Sequence, residues 1–298
     1  MRPFIQRYPF FTFTALVLAL QWAIVLFVKS RILPGEQPDS DELAHMVFRM
    51  RVFGPIVMVL LVSFYLEGTS GIRKLFSSFL HWRIPFKWYA LALGWKFTMA
   101  AITLLIILVL YGIKPVWLSS DILDPLVTHI PFIVGIGLVE EITWVGFAVP
   151  RMQKRFNAFW TAVIVGNCWA LWYLPMNLID IGTPRGVSDL GFHVCLITLM
   201  VLCVFAYNTT RSGVVLLLMQ MMGNTAFFIV PMLPNNLHDS LRIDVYAFVF
   251  VALAIAIIAI YGPKNLSRRQ KYTWDDIADE ERIPEQGRSV TERLLQRT

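Results

Sequence analysis

Charge is scarce in this sequence: Asp, Glu, Lys and Arg make up 15% of 298 residues, while 57% are hydrophobic and the mean hydropathy is +0.61. That balance argues against a water-soluble globular domain as its class. Cysteine is nearly absent, with 3 residues. Cys168, Cys195 and Cys203 all fall inside apolar runs, where free Cys behaves as a small apolar side chain, so no disulfide framework is expected. There are 5 histidines. His45, His81 and His238 belong to loops or the interface, His129 lies eleven residues before the acidic pair discussed below, and His193 stands near the outer start of a span. They provide no His and carboxylate set at ligand spacing, and neither a metal nor another cofactor is expected. The first apolar run has no small-residue cleavage site and is expected to remain as a span. The C-terminal LLQRT is not a prenylation box. Internal repeats and low-complexity tracts are lacking. The net charge of +6 is spread over short loops and forms no basic patch, so nucleic acid is not expected as a partner.

What the sequence has is long apolar runs. A span needs about 20 apolar residues, and eight candidates occur, near 9–28, 52–67, 88–112, 125–149, 158–176, 190–207, 213–232 and 242–262. The fold class is therefore all-α, a polytopic transmembrane bundle of about eight spans in the lipid bilayer of the cell membrane. Arg2, Arg7, Arg73, Lys74, Arg83, Lys87, Arg151, Lys154, Arg155, Arg211, Lys264, Arg268, Arg269 and Lys271 fall on one side of these spans. The opposite loops hold fewer basic residues, among them Lys29, Arg31, Arg49, Arg51, Lys114 and Arg185, together with acidic residues such as Asp41, Asp121 and Asp239. The basic side is cytoplasmic by the positive-inside rule, which places both termini there.

Four regions follow. Residues 1–124 hold the N-terminal membrane helices, with an amphipathic interfacial helix near 72–87, where Ile72, Leu75, Phe76, Phe79 and Leu80 share a face. Residues 125–232 form a core, 233–262 the last span, and 263–298 a polar cytoplasmic tail of low apolar content, expected to be mobile or dependent on a partner.

Three polar constellations interrupt the apolar core. The stretch GLVEEITWVGF carries Glu140 and Glu141, the only charges between Pro125 and Val149. A carboxylate at the bilayer centre costs about 2.5–3.5 kcal/mol, so the pair calls for a function or for partners. Adjacent helical residues point about 100° apart, which leaves one to face a cavity and the other to brace a neighbouring helix. The stretch NCWALWYLPMN places Trp169 and Tyr173 on one helical face, either as a packing stripe or as a hydroxyl inside the membrane. The stretch LLMQMMGNT places Gln220 and Asn224 on one face, either as interhelical glue or as two amides able to donate to an oxyanion. At about 1.5 Å per residue from the cytoplasmic helix ends, Glu140 lies roughly 15 Å deep, Gln220 roughly 10 Å, Asn224 roughly 16 Å and Tyr173 nearer 22 Å.

These blocks, EEITWVGFAVPRMQKRFN, WALWYLPMN and YNTTRSGVVLLLMQMMGNT, resemble over residues 125–232 the CPBP family of intramembrane proteases (CAAX protease and bacteriocin-processing, also called Abi) in its prokaryotic form. In that family a Glu-Glu pair is followed by an Arg four residues after the second Glu, and this sequence has Glu140, Glu141 and Val145. The second block ends in a His four residues after a large aromatic, and this sequence has Trp169 and Tyr173. The third block is His-x-x-x-Asn, which here is Gln220 and Asn224. The family's mechanism has the first Glu and the second-block His activate a water, while the third-block His and Asn stabilise the oxyanion. The resemblance thus implies Glu140 as base and Asn224 as oxyanion donor, with Gln220 able to donate an N–H and Tyr173 to orient a water. A phenol titrating near about 10 is no base at neutral pH. Glu141, having lost the family's arginine, is expected to be protonated or to have another donor.

With both histidines and the arginine replaced, the sequence suggests a degenerate member, a pseudoprotease that binds a membrane peptide or protein partner or serves in bacteriocin-type self-protection. A residual glutamate-dependent peptidase is the alternative. A proton-coupled transporter is the reading from another class, since intramembrane carboxylates also serve as relays. Nothing in the sequence selects an oligomeric state.

Overall fold

A computed structural model describes residues 2–120, 122–183, 187–232 and 240–278. Asp121, Arg185, His238, Asp239 and the tail from 279 onward lie outside the described residues. Among the described residues the chain is all-helical. Seven helices are long and apolar enough to cross a membrane: Pro9–Arg31, Glu42–Leu80, Phe86–Tyr111, Val127–Gln153, Ala158–Ile179, Asp189–Thr210 and Leu241–Tyr261. The remaining expected span is an apolar helix of 17 residues, Gly213–Ile229, about 25 Å long at 1.5 Å per residue. The short run near 52–67 proves to be the middle of the long helical stretch Glu42–Leu80.

The helix Val127–Gln153 is the centre of the bundle, with 72% of its apolar window buried against 28–56% in the other six. Ala158–Tyr173 packs along Asp189–Thr210, and Gly213–Ile229 lies between Phe86–Tyr111 and Leu123–Glu140. A close helix approach is made at Gly166, where a Cβ would stand 2.8 Å from Ile197 Cα and 3.1 Å from Met200 Cβ. Small residues allow such approach where lipid offers no hydrophobic drive between helices.

The central helix is not α-helical throughout. It is α-helical to Glu140 and forms a π-helix over Glu141–Phe147, with the Ala148 N–H reaching the Thr143 carbonyl five residues back. Two local causes are visible. Thr143 Oγ1 donates to the Val139 carbonyl at 2.6 Å, a side-chain bond that competes with the backbone ladder. Pro150 cannot donate to the Gly146 carbonyl, and its ring would press on that carbonyl in a regular helix, which the widened turn relieves.

The interfacial segment is bounded differently from expectation. Gly68 (φ 62, ψ −145) breaks the helix Gly54–Phe76, a left-handed conformation that suits glycine. A 3-10 turn then runs over Ser77–Leu80, and residues 81–85 are not helical. Pro85 disfavours a helical Ile84, so helix resumes only at Phe86. On the opposite side Asp41 caps the helix Glu42–Met50 by accepting from the Ala44 N–H and pairs with Arg31 at 2.7 Å. The Arg31 guanidinium, followed by the Ala44 amide, holds the Asp41 carboxyl below the usual carboxylate range.

The tail begins otherwise than its polarity suggests. Leu266, Tyr272, Trp274 and Ile277 are buried in the main core. A buried amide pair grips this returning segment: Gln153 Nε2 donates to the Tyr272 carbonyl at 2.8 Å, Asn208 Nδ2 donates to the Asn265 carbonyl at 2.8 Å, and the two amides bond each other. Composition indicated mobility because the anchors are few and separated, whereas their partners come from Gln153 and Asn208, far away in sequence.

Candidate functional site

Glu140 ends the α-helical part of the central span, is 7% exposed, and faces a cavity of about 510 Å³. Tyr173 is the last residue of Ala158–Tyr173, and its hydroxyl donates to Glu140 Oε1 at 3.4 Å. Depth counting set these two groups roughly 7 Å apart. That count assumes straight helices along the membrane normal with their cytoplasmic ends level, which the 3.4 Å contact shows does not hold.

The third block comes to the same cavity. Gln220 is 2% exposed, and its Nε2 has no hydrogen-bond partner. Asn224 Nδ2 donates to the Gln220 carbonyl at 3.0 Å, which occupies part of its amide on its own helix. The Asn224 side chain also lies beside the Glu140 carboxyl. Trp169 lines the cavity too, stacked on Trp144 with ring centroids 6.3 Å apart, and its Nε1 is unpartnered. Glu140, Tyr173, Gln220 and Asn224 are therefore brought together. A smaller cavity of about 230 Å³ is also lined by Glu140, Tyr173 and Asn224.

Glu141 is not part of this group. It is fully buried in the π-helix, lines neither cavity, and both its carboxyl oxygens lack a hydrogen-bond partner. Val145, at the family's arginine position, is also fully buried. His193 Nε2 lies 2.6 Å from Asn167 Oδ1, and the His129 ring sits 5.4 Å from the Phe228 ring. Neither histidine lines the cavity. Among the described residues no three His, Cys, Asp or Glu side chains group as metal ligands.

Two cationic wall residues were not singled out in the sequence. Lys96 Nζ donates to the Gly223 carbonyl and sits 3.8 Å from the centroid of the Phe227 ring. It is the only charge in the apolar run 88–112, a signal that by itself marks an intramembrane site. Arg51 reaches the cavity from the start of its span, with Nε 3.0 Å from Met176 Sδ and Nη1 3.0 Å from the Phe48 carbonyl. Its contact with Met176 joins residues 125 apart in sequence, which no local pattern announces. Elsewhere the walls are mainly apolar, with Leu196, Leu199, Phe227 and Phe250 among them.

The site thus has one carboxylate, a phenol bonded to it, a free amide N–H and two cations in an apolar chamber. It can hold an amphiphilic ligand and donate to a polarised carbonyl. Among the described residues no imidazole stands beside the carboxylate to share in proton transfer. Residues 122–226 match the family model described as Rce1-like, type II CAAX prenyl endopeptidase. No curated protein matches the chain. The apolar helices and this match support a multi-pass membrane protein whose core, residues 122–226, is similar to the CAAX protease family.

Proposed function

We propose that the protein is a pseudoprotease of the cell membrane, one that binds an apolar segment of a peptide or membrane protein in the Glu140 cavity without cutting it. The observation that carries this reading is the Tyr173 hydroxyl donated to Glu140 Oε1. Where the family's mechanism has an imidazole working with the carboxylate on a water, a phenol engages the carboxylate instead. General acid–base groups contribute about 10²–10⁴ in rate and one oxyanion donor about 10²–10³, so replacing both histidines removes most of the chemistry while leaving the chamber. Leu196, Leu199, Phe227 and Phe250 suit apolar side chains, and Lys96 and Arg51 suit a carbonyl or carboxylate of the same ligand.

A second reading, residual peptidase activity, is favoured by Gln220 Nε2, which is buried and unpartnered and could still donate to an oxyanion. Binding is tested by placing a photo-crosslinking residue at Leu199, inside the cavity, and at Ile255, which is 60% exposed on the outer face. The expected result is capture of apolar peptides, unchanged in mass, from Leu199 only. Equal capture from both positions, or none from Leu199, contradicts binding, and capture of shortened peptides favours the peptidase.

A further inference from the structure

A cavity of about 270 Å³, separate from the Glu140 chamber, is formed where the first and central spans end on the basic side. Its lining includes Arg7, Arg151, Lys154, Arg155, Glu67 and Trp274. Four of these are cations and one is a carboxylate. Glu67 is already engaged, with Oε1 taking Trp274 Nε1 at 2.7 Å and Arg151 Nη2 at 3.3 Å and Oε2 taking Lys74 Nζ at 2.6 Å. Lys154 pairs with Asp275 at 2.9 Å. Among the described residues neither Arg7 nor Arg155 has a carboxylate partner. Arg155 donates to the Arg7 carbonyl, and both guanidinium groups lie against the Tyr8 ring, at 4.7 and 5.4 Å.

Arg151 is the decisive residue. Its guanidinium is held 3.3 Å from the centroid of the Trp274 ring and 4.0 Å from that of Phe147, and the residue is 6% exposed. Even so, Nη1 has no hydrogen-bond partner. A buried charged donor without an acceptor is unfavourable, and an oxygen anion in the cavity would satisfy it. The cations flank helix ends, Arg7 just before Pro9 and Arg151, Lys154 and Arg155 around Gln153, and Tyr8 and Trp274 are aromatic types suited to headgroup depth.

We infer that this cavity binds the phosphate of an anionic phospholipid headgroup, with Arg7, Arg151 and Arg155 as its donors. Basic pockets between spans on the cytoplasmic side have the chemistry for such headgroups. Trp274 belongs to the folded-back tail, so the site is complete only while that segment is docked, and lipid binding and tail docking support one another. Neither depends on what the Glu140 chamber does.

The test uses the full chain in detergent with three probes: dioleoylphosphatidylglycerol, dioleoylphosphatidylcholine and inorganic phosphate. Retained lipid is read by native mass spectrometry, and the Arg7→Gln/Arg155→Gln variant is compared with Lys29→Gln/Lys114→Gln on the opposite side. Both arginines are exposed, so their substitution leaves the core intact. The expected result is retention of phosphatidylglycerol over phosphatidylcholine by the native protein, with affinity lower by roughly tenfold or more in the arginine variant and unchanged in the lysine control. Equal retention of the two lipids by the native protein overturns the inference without reference to any variant, as does equal affinity of the arginine variant. Displacement of the lipid by millimolar inorganic phosphate would identify a free-phosphate site and overturn the lipid assignment.

Discussion

The Tyr173 hydroxyl lies 3.4 Å from Glu140 Oε1, joining the end of the α-helix Ala158–Tyr173 to the middle of the central span. By the family resemblance this contact stands where a histidine would lie beside the glutamate, and the hydrogen bond makes Tyr173 a tether for the carboxylate. Tyr173→Phe should therefore reduce stability by about 0.5–1.5 kcal/mol, the worth of one hydrogen bond, as read by thermal unfolding in detergent. A loss of several kcal/mol would mean that the hydroxyl holds more than this one bond.

Restoring the histidines should restore chemistry. Tyr173 and Gln220 both border open space in the cavity, so Tyr173→His/Gln220→His places imidazoles there without repacking the core. Val145 is left alone because it is fully buried, and an arginine there would overpack the interior. The double variant should cleave peptides in a Glu140-dependent way at least about 10² faster than the native protein, measured by mass spectrometry of the products. Retention of fold with no gain in cleavage would argue against a protease-like disposition of the three blocks.

Glu141 should be dispensable for stability. It is fully buried with neither oxygen hydrogen-bonded, and replacing an unsatisfied buried polar group by an apolar one of similar shape is nearly neutral or stabilising. Glu141→Leu should leave the unfolding temperature unchanged or raise it, within about 1 kcal/mol. A clear fall would reveal a partner for the carboxyl.

The spans and the candidate site were legible in the sequence to different depths. The long helices follow from apolar runs near the length of the hydrocarbon core; helix-face spacing pairs Trp169 with Tyr173 and Gln220 with Asn224, while a site joining Glu140, Tyr173, Gln220 and Asn224 was what the family resemblance implied. The π-helix over Glu141–Phe147 was not legible, because Thr143 and Pro150 are compatible with several local geometries and packing selects one. Arg51 was assigned to a loop because its contacts with Met176 and Phe48 depend on tertiary structure. Lys96 was a readable signal, a lone charge in an apolar run, whose meaning came only with the cavity. The docking of residues 264–277 runs against composition, since the buried anchors Leu266, Tyr272, Trp274 and Ile277 are diluted by polar neighbours.

Trp274→Ala should release the tail. Its ring covers Arg151 and its Nε1 bonds Glu67, and truncating a buried tryptophan costs about 3–5 kcal/mol where the contacts persist. Limited trypsinolysis should then cut at Lys271 at least severalfold faster than in the native protein. An unchanged rate would show that the Gln153–Asn208 amide pair holds the segment alone.

Gly166 and Gly94 should separate packing from helix propensity. Gly166→Ala puts a methyl 2.8 Å from Ile197 Cα and should cost about 1–3 kcal/mol in thermal unfolding. Gly94→Ala meets nothing within 4 Å and should stabilise by up to about 1 kcal/mol. Equal effects would contradict the close approach of the two helices.

The most direct test of the account is to incubate the native protein and Glu140→Gln with a mass-encoded peptide library in detergent. The account predicts the same peptide masses with both proteins, since among the described residues no imidazole stands beside the carboxylate held by Tyr173 to share in activating a water. Products made by the native protein and lost in Glu140→Gln would contradict it and make this chamber an active, altered protease site.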